Sequence, residues 1–190
     1  MTSTFPIFLM NSIPTYESDE PYDIIYRLIK NISKEEINYI DYQGWSPLLK
    51  LCLYIDDHEL IEEYIRRGAD INYNYIKDGW TPLHGVCRHF TNFNSVKILV
   101  ENGARLNAKN IHGYTPLDYL CNYNYNFNSV ELLLEYGAII NPEKIFHKHM
   151  ADECYKILNN IKTKKYKFLY SALYLPLDVI KYIVSFMYKN

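Results

Sequence analysis

Cysteine and histidine are the side chains of this sequence best suited to metal ligation, redox exchange or nucleophilic attack, and the chain holds four of the first and six of the second. Cys52, Cys87 and Cys121 are 35 and 34 residues apart, and Cys154 continues the series about one period later. No pair has the Cys-x-x-Cys spacing of a zinc or redox site. The even spacing instead reads as one small buried side chain repeated in equivalent places. His147, His149 and Cys154 are close in sequence, but His-x-His projects its rings to different sides of a helix, and no fourth ligand is suitably spaced. Neither an activated nucleophile, a carboxylate pair nor a phosphate loop stands out. The expected chemistry is recognition, with no catalytic residue, no metal and no cofactor.

A period of 34 to 35 residues must be what places those cysteines. Gly44-Trp-Ser-Pro-Leu-Leu49, Gly79-Trp-Thr-Pro-Leu-His84 and Gly113-Tyr-Thr-Pro-Leu-Asp118 form one series. Arg67-Gly-Ala-Asp-Ile-Asn72, Asn102-Gly-Ala-Arg-Leu-Asn107 and Tyr136-Gly-Ala-Ile-Ile-Asn141 form a second in step with it. Ser or Thr before Pro is an N-cap followed by a first helical residue, where the missing N–H costs nothing. Helices are therefore predicted from 46, 81 and 115. A second helix in each unit carries its apolar residues at helical spacing, as in Leu60, Ile61, Tyr64 and Ile65. It should stop at Gly68, Gly103 or Gly137, where glycine takes the left-handed conformation. The residues from there to the next unit form a turn or hairpin.

These motifs resemble the ankyrin repeat, matched best by the middle unit with its Thr-Pro-Leu-His signature. The resemblance implies an all-α solenoid of helix-turn-helix pairs joined by hairpin loops, with a short helical segment at the carboxyl end. The expected organisation is an extension over 1–20, a degenerate capping repeat over 21–40, and repeats over 41–72, 73–107 and 108–141. An eroded repeat or linker helices follow over 142–161, then a terminal segment over 162–190. Asp23 to Lys30 and the capping box Ser33-Lys-Glu-Glu36 mark the degenerate cap. Each unit has one residue more between its helices than the family usually has, and the first joint has another near Tyr73 to Tyr75; all are expected to fall in loops. His84 is expected to serve local hydrogen bonding.

Charge divides the chain. Nine Lys oppose four acidic residues after position 141, a balance of +5, whereas the first 141 residues carry −7. With a net charge of −2 overall, the chain is no polycation built for nucleic acid. The run Lys162, Lys164, Lys165 and Lys167 reads as a solvated helix end or a local phosphate contact. The amino terminus lacks a secretory pattern, and Phe168 to Tyr188 is interrupted by Asp178 and Lys181, so no membrane helix is expected. The abundance of Ile, Lys, Asn and Tyr is what A+T-rich coding sequence produces.

The last segment, Leu173 to Met187, should be helical from Pro176 onward and apolar over much of its circumference. It would either close the end of the solenoid or seek a partner. Repeats followed by this Leu-Pro-x-acidic-aliphatic-aliphatic helix resemble the poxvirus ankyrin proteins that end in a short F-box-like motif, often called PRANC. That resemblance implies an adaptor of the host cytoplasm, with the nucleus as a second compartment, which binds the host Skp adaptor of cullin ubiquitin ligases. Leu175, Pro176, Asp178, Val179, Ile180, Ile183 and Phe186 would make that contact as a helix in a groove.

Ankyrin domains bind through hairpin tips and the exposed edge of the first helices. In the first unit these places hold Tyr42, Gln43, Trp45, Leu53 and Tyr54; in the second Lys77, Asp78, Trp80, Arg88 and His89; in the third Ile111, His112, Tyr114, Asn122 and Tyr123. Trp, Tyr and Arg dominate interface hot spots. Trp45, Trp80 and Tyr114 are open to two readings, an exposed binding row or packing between repeats. Two functions follow: a viral ligase adaptor that redirects a host target and so counters host defence, or a module that masks a host protein, its last helix serving as a cap.

Overall fold

The computed structural model describes residue 33 and residues 36–55, 57–89, 92–173 and 176–187. The extension over 1–20, the helix expected over Asp23 to Lys30, and Leu175 lie outside the described residues. Within them the elements are all helical: α1 Pro47–Tyr54, α2 His58–Arg66, α3 Pro82–His89, α4 Phe93–Glu101, α5 Pro116–Tyr119, α6 Phe127–Glu135, α7 Lys148–Leu173 and α8 Leu177–Met187. A π-helical turn, Leu120–Asn124, extends α5, and a 3-10 turn, Pro142–Lys144, precedes α7.

The helix starts follow from capping chemistry. Ser46 and Thr115 accept the backbone N–H three residues on, and Pro occupies the first helical position. The outer helices end at glycines with φ of +94°, +87° and +99° at Gly68, Gly103 and Gly137, a region closed to most side chains. Helices α1, α3 and α5 stack as one layer, α2, α4 and α6 as a second, and α7 covers the last pair. Leu48, Leu51, Leu83, Val86, Leu117 and Leu120 fill the space between layers, with Cys52, Cys87 and Cys121 fully buried among them. At Gly85 an added Cβ would lie 2.9 Å from the Cys52 carbonyl oxygen, so α1 and α3 approach too closely there for any side chain.

An asparagine ladder runs along the loops. Asn38, Asn72 and Asn107 each donate from Nδ2 to the carbonyl of the next unit's glycine, at 2.8, 3.1 and 3.2 Å. Each also accepts from a backbone N–H two residues further on, those of Asp70, Arg105 and Ile139, at 2.7 to 2.9 Å. Asn38 thus occupies the repeat position before the first plain unit, and Ile37 beside it is buried. Ser33 and Glu36 form part of the expected capping box: the Ser33 N–H and hydroxyl both donate to Glu36 Oε2, at 3.2 and 2.7 Å.

Two expectations are corrected. The extra residue of the third unit does not fall in a loop: the π-helical turn absorbs it, closed by the Tyr125 N–H on the Leu120 carbonyl at 3.0 Å with Tyr125 at φ 52°. Over 142–161, read as an eroded repeat or linker helices, the chain has the 3-10 turn and then Lys148–Leu173, which contains neither Gly nor Pro and runs as one helix across the expected boundary between residues 161 and 162. Cys154 still keeps its register position, its Sγ 3.2 Å from that of Cys121. The extra residue at the first joint sits as expected in a loop. Tyr75 pairs with Trp80 across a hairpin one residue longer than those closed by Asp41 with Trp45 and Asn110 with Tyr114.

Candidate functional site

The hairpins are rigid before any side chain is presented. Asp41 Oδ1 accepts the N–H groups of Gln43 and Trp45, each at 2.9 Å. Asn110 Oδ1 does the same for His112 and Tyr114, each at 3.0 Å. The longer second hairpin uses Asp78, whose Oδ1 accepts the Trp80 N–H at 3.0 Å. His84 then joins units: its Nδ1 accepts the Thr81 N–H at 3.1 Å, so its Nε2 carries the proton toward the Tyr114 carbonyl at 3.1 Å. Burial pushes the His84 pKa down to about 4, against hydrogen bonds to Tyr114 and Ala108 that favour the charged form. Asp118, at the same place in the third unit, closes a capping box with Thr115 instead.

One edge of the stack carries a run of rings in two contacting groups. Trp45 lies flat on Tyr75, centroids 4.0 Å apart. Trp80 packs on Tyr119 at 4.8 Å, and Tyr119 in turn meets Tyr114 at 5.5 Å and Tyr123 at 6.0 Å. Phe146 closes the run edge-on to Tyr114 and Tyr123. Two cations sit on it: the Arg88 guanidinium 3.8 Å over Tyr123, and Lys144 Nζ 4.9 Å over Tyr114. Burial raises the Tyr119 pKa, opposed by the Asn110 amide and by Arg88. Burial, and after it Arg88, lowers the pKa of His89 beside Trp80.

The residues predicted for partner contact divide by exposure. Tyr42, Lys77, His89, Ile111, His112 and Tyr123 are exposed; Gln43, Trp45, Tyr54, Asp78, Trp80, Arg88 and Tyr114 are half-buried. The half-buried rings therefore pack and present a surface at once. Leu53 and Asn122 are corrections. Leu53 is buried with Leu49 and Tyr75. Asn122 is clamped inside, donating to the Lys144 carbonyl at 2.7 Å and accepting the Phe146 N–H at 2.8 Å, because the π-helical turn aims it at the following loop. Tyr119 and Phe146 belong to the run without having been expected; Tyr119 stands at the position of Gly85, and a bulky ring where its sister unit has glycine was the signal available.

Between the first two units this edge opens into a pocket of about 210 Å³ lined by Trp45, Leu53, Tyr54, Asp78, Trp80 and His89. Burial raises the Asp78 carboxyl, opposed by the Trp80 N–H and by His112.

At the other end, α8 packs on α7. Ile180, expected to enter a partner's groove, is fully buried within the chain with Val184, since these two share the face turned to α7. Pro176, Asp178, Val179, Tyr182 and Phe186 are exposed and Ile183 is half-buried. Lys164 pairs with Glu131 at 3.2 Å, which ties part of the lysine run to α6. Among the described residues no group of three or more His, Cys, Asp or Glu could hold a metal ion, and no helix is long and apolar enough to cross a membrane. His147 and His149 are exposed, whereas Cys154 is buried on Cys121.

A family model described as ankyrin repeats, in three copies, matches residues 49–144, just over half of the chain. No curated protein matches it.

Proposed function

Because the chain belongs to the ankyrin-repeat family, a family of protein-binding modules, we propose that it holds a protein partner on the hairpin and inner-helix edge, chiefly through Tyr42, Trp45, Trp80, Arg88, Ile111 and Tyr123. The observation that carries this reading is the ring run itself. Aromatic side chains pinned by packing lose little entropy when a partner covers them, and the arginine stacked among them is of the type that anchors interfaces. A photo-crosslinking side chain at Ile111 or Tyr123 should capture the partner, while one at Lys97, on the outer layer, should not. Equal capture from both layers would refute the reading.

A second reading has its own support in the exposed face of α8. Pro176, Asp178, Val179 and Phe186 are exposed and Ile183 is half-buried, beside the buried pair Ile180 and Val184. We propose that this face recruits the host Skp adaptor, which would make the chain a viral ligase adaptor acting in the host cytoplasm or nucleus against host defence. Ile180 then supports the helix from within, and the partner meets Val179 and Phe186. Coexpressed full chain should co-elute with Skp, and Val179→Asp with Phe186→Asp should abolish the complex without loss of helicity. A wild-type chain that forms no complex would leave the masking module as the function.

A further inference from the structure

The pocket between the first two units differs from the rest of the ring run in the groups that line it. Further along, the chain seats its own cations on the rings, Arg88 over Tyr123 and Lys144 over Tyr114. Neither of these lies over Trp45 or Trp80, which with Tyr54, Leu53 and His89 line a recess of about 210 Å³. Asp78 stands in that wall with its Oδ1 engaged by the Trp80 N–H. The repeats around it, residues 41–141, carry a net charge of −4, with 12 Asp and Glu against 8 Lys and Arg, which favours approach of a positively charged segment.

We propose that this pocket takes the alkylammonium head of a methylated lysine from the protein partner, held by the faces of Trp45, Tyr54 and Trp80 and by the charge of Asp78. The inference rests on the reading of this edge as the partner-binding surface. Ring faces attract a cation through their quadrupole, most strongly for indole, and recognition of methylated ammonium groups is a known use of such walls. An unmodified ammonium is strongly hydrated and loses more on entering an aromatic recess. A guanidinium is best met by two carboxylate oxygens in its fork, and one oxygen of Asp78 is already engaged.

The chain's two tryptophans are Trp45 and Trp80, so indole signals report on this pocket alone. The full chain would be titrated with the N-acetyl amides of trimethyl-lysine, lysine and arginine, and with the neutral isostere in which a tert-butyl group replaces trimethylammonium. Trimethyl-lysine should shift both indole N–H resonances saturably and bind about tenfold more tightly than the neutral isostere. Asp78→Asn, which keeps the acceptor for the Trp80 N–H, should weaken binding about three- to tenfold with an unchanged circular dichroism spectrum. No saturable shift, an equal response to the neutral isostere, or tighter binding of arginine would overturn the inference. Partner crosslinks at Tyr123 that persist while the indoles stay silent would remove this inference and leave the binding surface standing; responding indoles without those crosslinks would keep the pocket and remove the surface.

Discussion

Lys50 Nζ and Asp41 Oδ2 lie 2.6 Å apart with both side chains almost wholly buried. The third unit solves the same problem without charge: Asn110 stands in place of Asp41, and its Nδ2 donates at 2.8 Å to the hydroxyl of Tyr119, the counterpart of Lys50. The middle unit has Gly85 there and no such tie. One hairpin is thus anchored by an ion pair and another by a neutral bond, at equivalent positions.

Removing one partner of a buried pair strands the other, which costs about 3–5 kcal/mol. Lys50→Met should therefore lower the urea midpoint sharply. The double variant Asp41→Asn with Lys50→Met should recover much of the loss, because Asn110 shows that asparagine alone can close this hairpin. A double variant no more stable than Lys50→Met would show that the charge on Asp41 is not what the single change strands.

Acid should destabilise the stack through His84. Its pKa is about 4 folded against 6.5 ordinarily, so between those values the unfolded chain binds a proton that the folded chain resists. The contribution is fully present above about pH 6.5 and is lost as pH falls toward 4, by about 3 kcal/mol in all. Asp78 and Asp118 act in the opposite sense, since burial raises both. Denaturation curves at several pH values for wild type and His84→Gln isolate the histidine: the variant should show a flatter loss over this window.

Asn38→Ala should cost about 1–2 kcal/mol, as should Asn72→Ala and Asn107→Ala, since each removes two neutral hydrogen bonds between neighbouring loops. Thermal melts of the three variants check this. A negligible effect at Asn38 alone would mean that the first joint is not made as the others are.

Helix α8 should separate stability from binding. Ile180→Ala opens a cavity against α7 and should cost about 2–4 kcal/mol. Val179→Ala and Phe186→Ala, both exposed, should stay within about 0.5 kcal/mol of wild type. Chemical denaturation of the three variants decides whether the inner and outer faces are assigned correctly.

Much of the architecture was legible because the repeat writes its own punctuation. Ser46, Thr115 and their prolines set helix starts, and Gly68, Gly103 and Gly137 set helix ends, by local chemistry that needs no tertiary context. What the sequence hid depends on the partners each side chain finds. Asn122 and Tyr123 are adjacent, yet a single inserted residue turned to π-helical geometry sends one inward and leaves the other exposed. Leu53 lies in a first-helix position that faces outward in principle, but the longer second hairpin brings Tyr75 over it. Lys148–Leu173 shows the reverse: the spacing of Cys154 was kept while the glycine that would have ended a repeat was not, so register survived and topology did not. Asn38 was readable by its distance of 34 residues from Asn72, though no glycine or proline beside it draws attention.

The asparagine ladder also bears on how such a chain can change length. Each rung is a plug on one loop and a socket on the next, and the pattern at 38, 72 and 107 is the same joint used three times. A whole unit copied or deleted between two rungs brings its own plug and socket with it, so the new neighbours meet across a joint the fold already knows. Lengthening or shortening by single units then keeps the loop joints in step, and the spacings of 34 and 35 residues between rungs show that one added residue leaves both neighbouring joints closed.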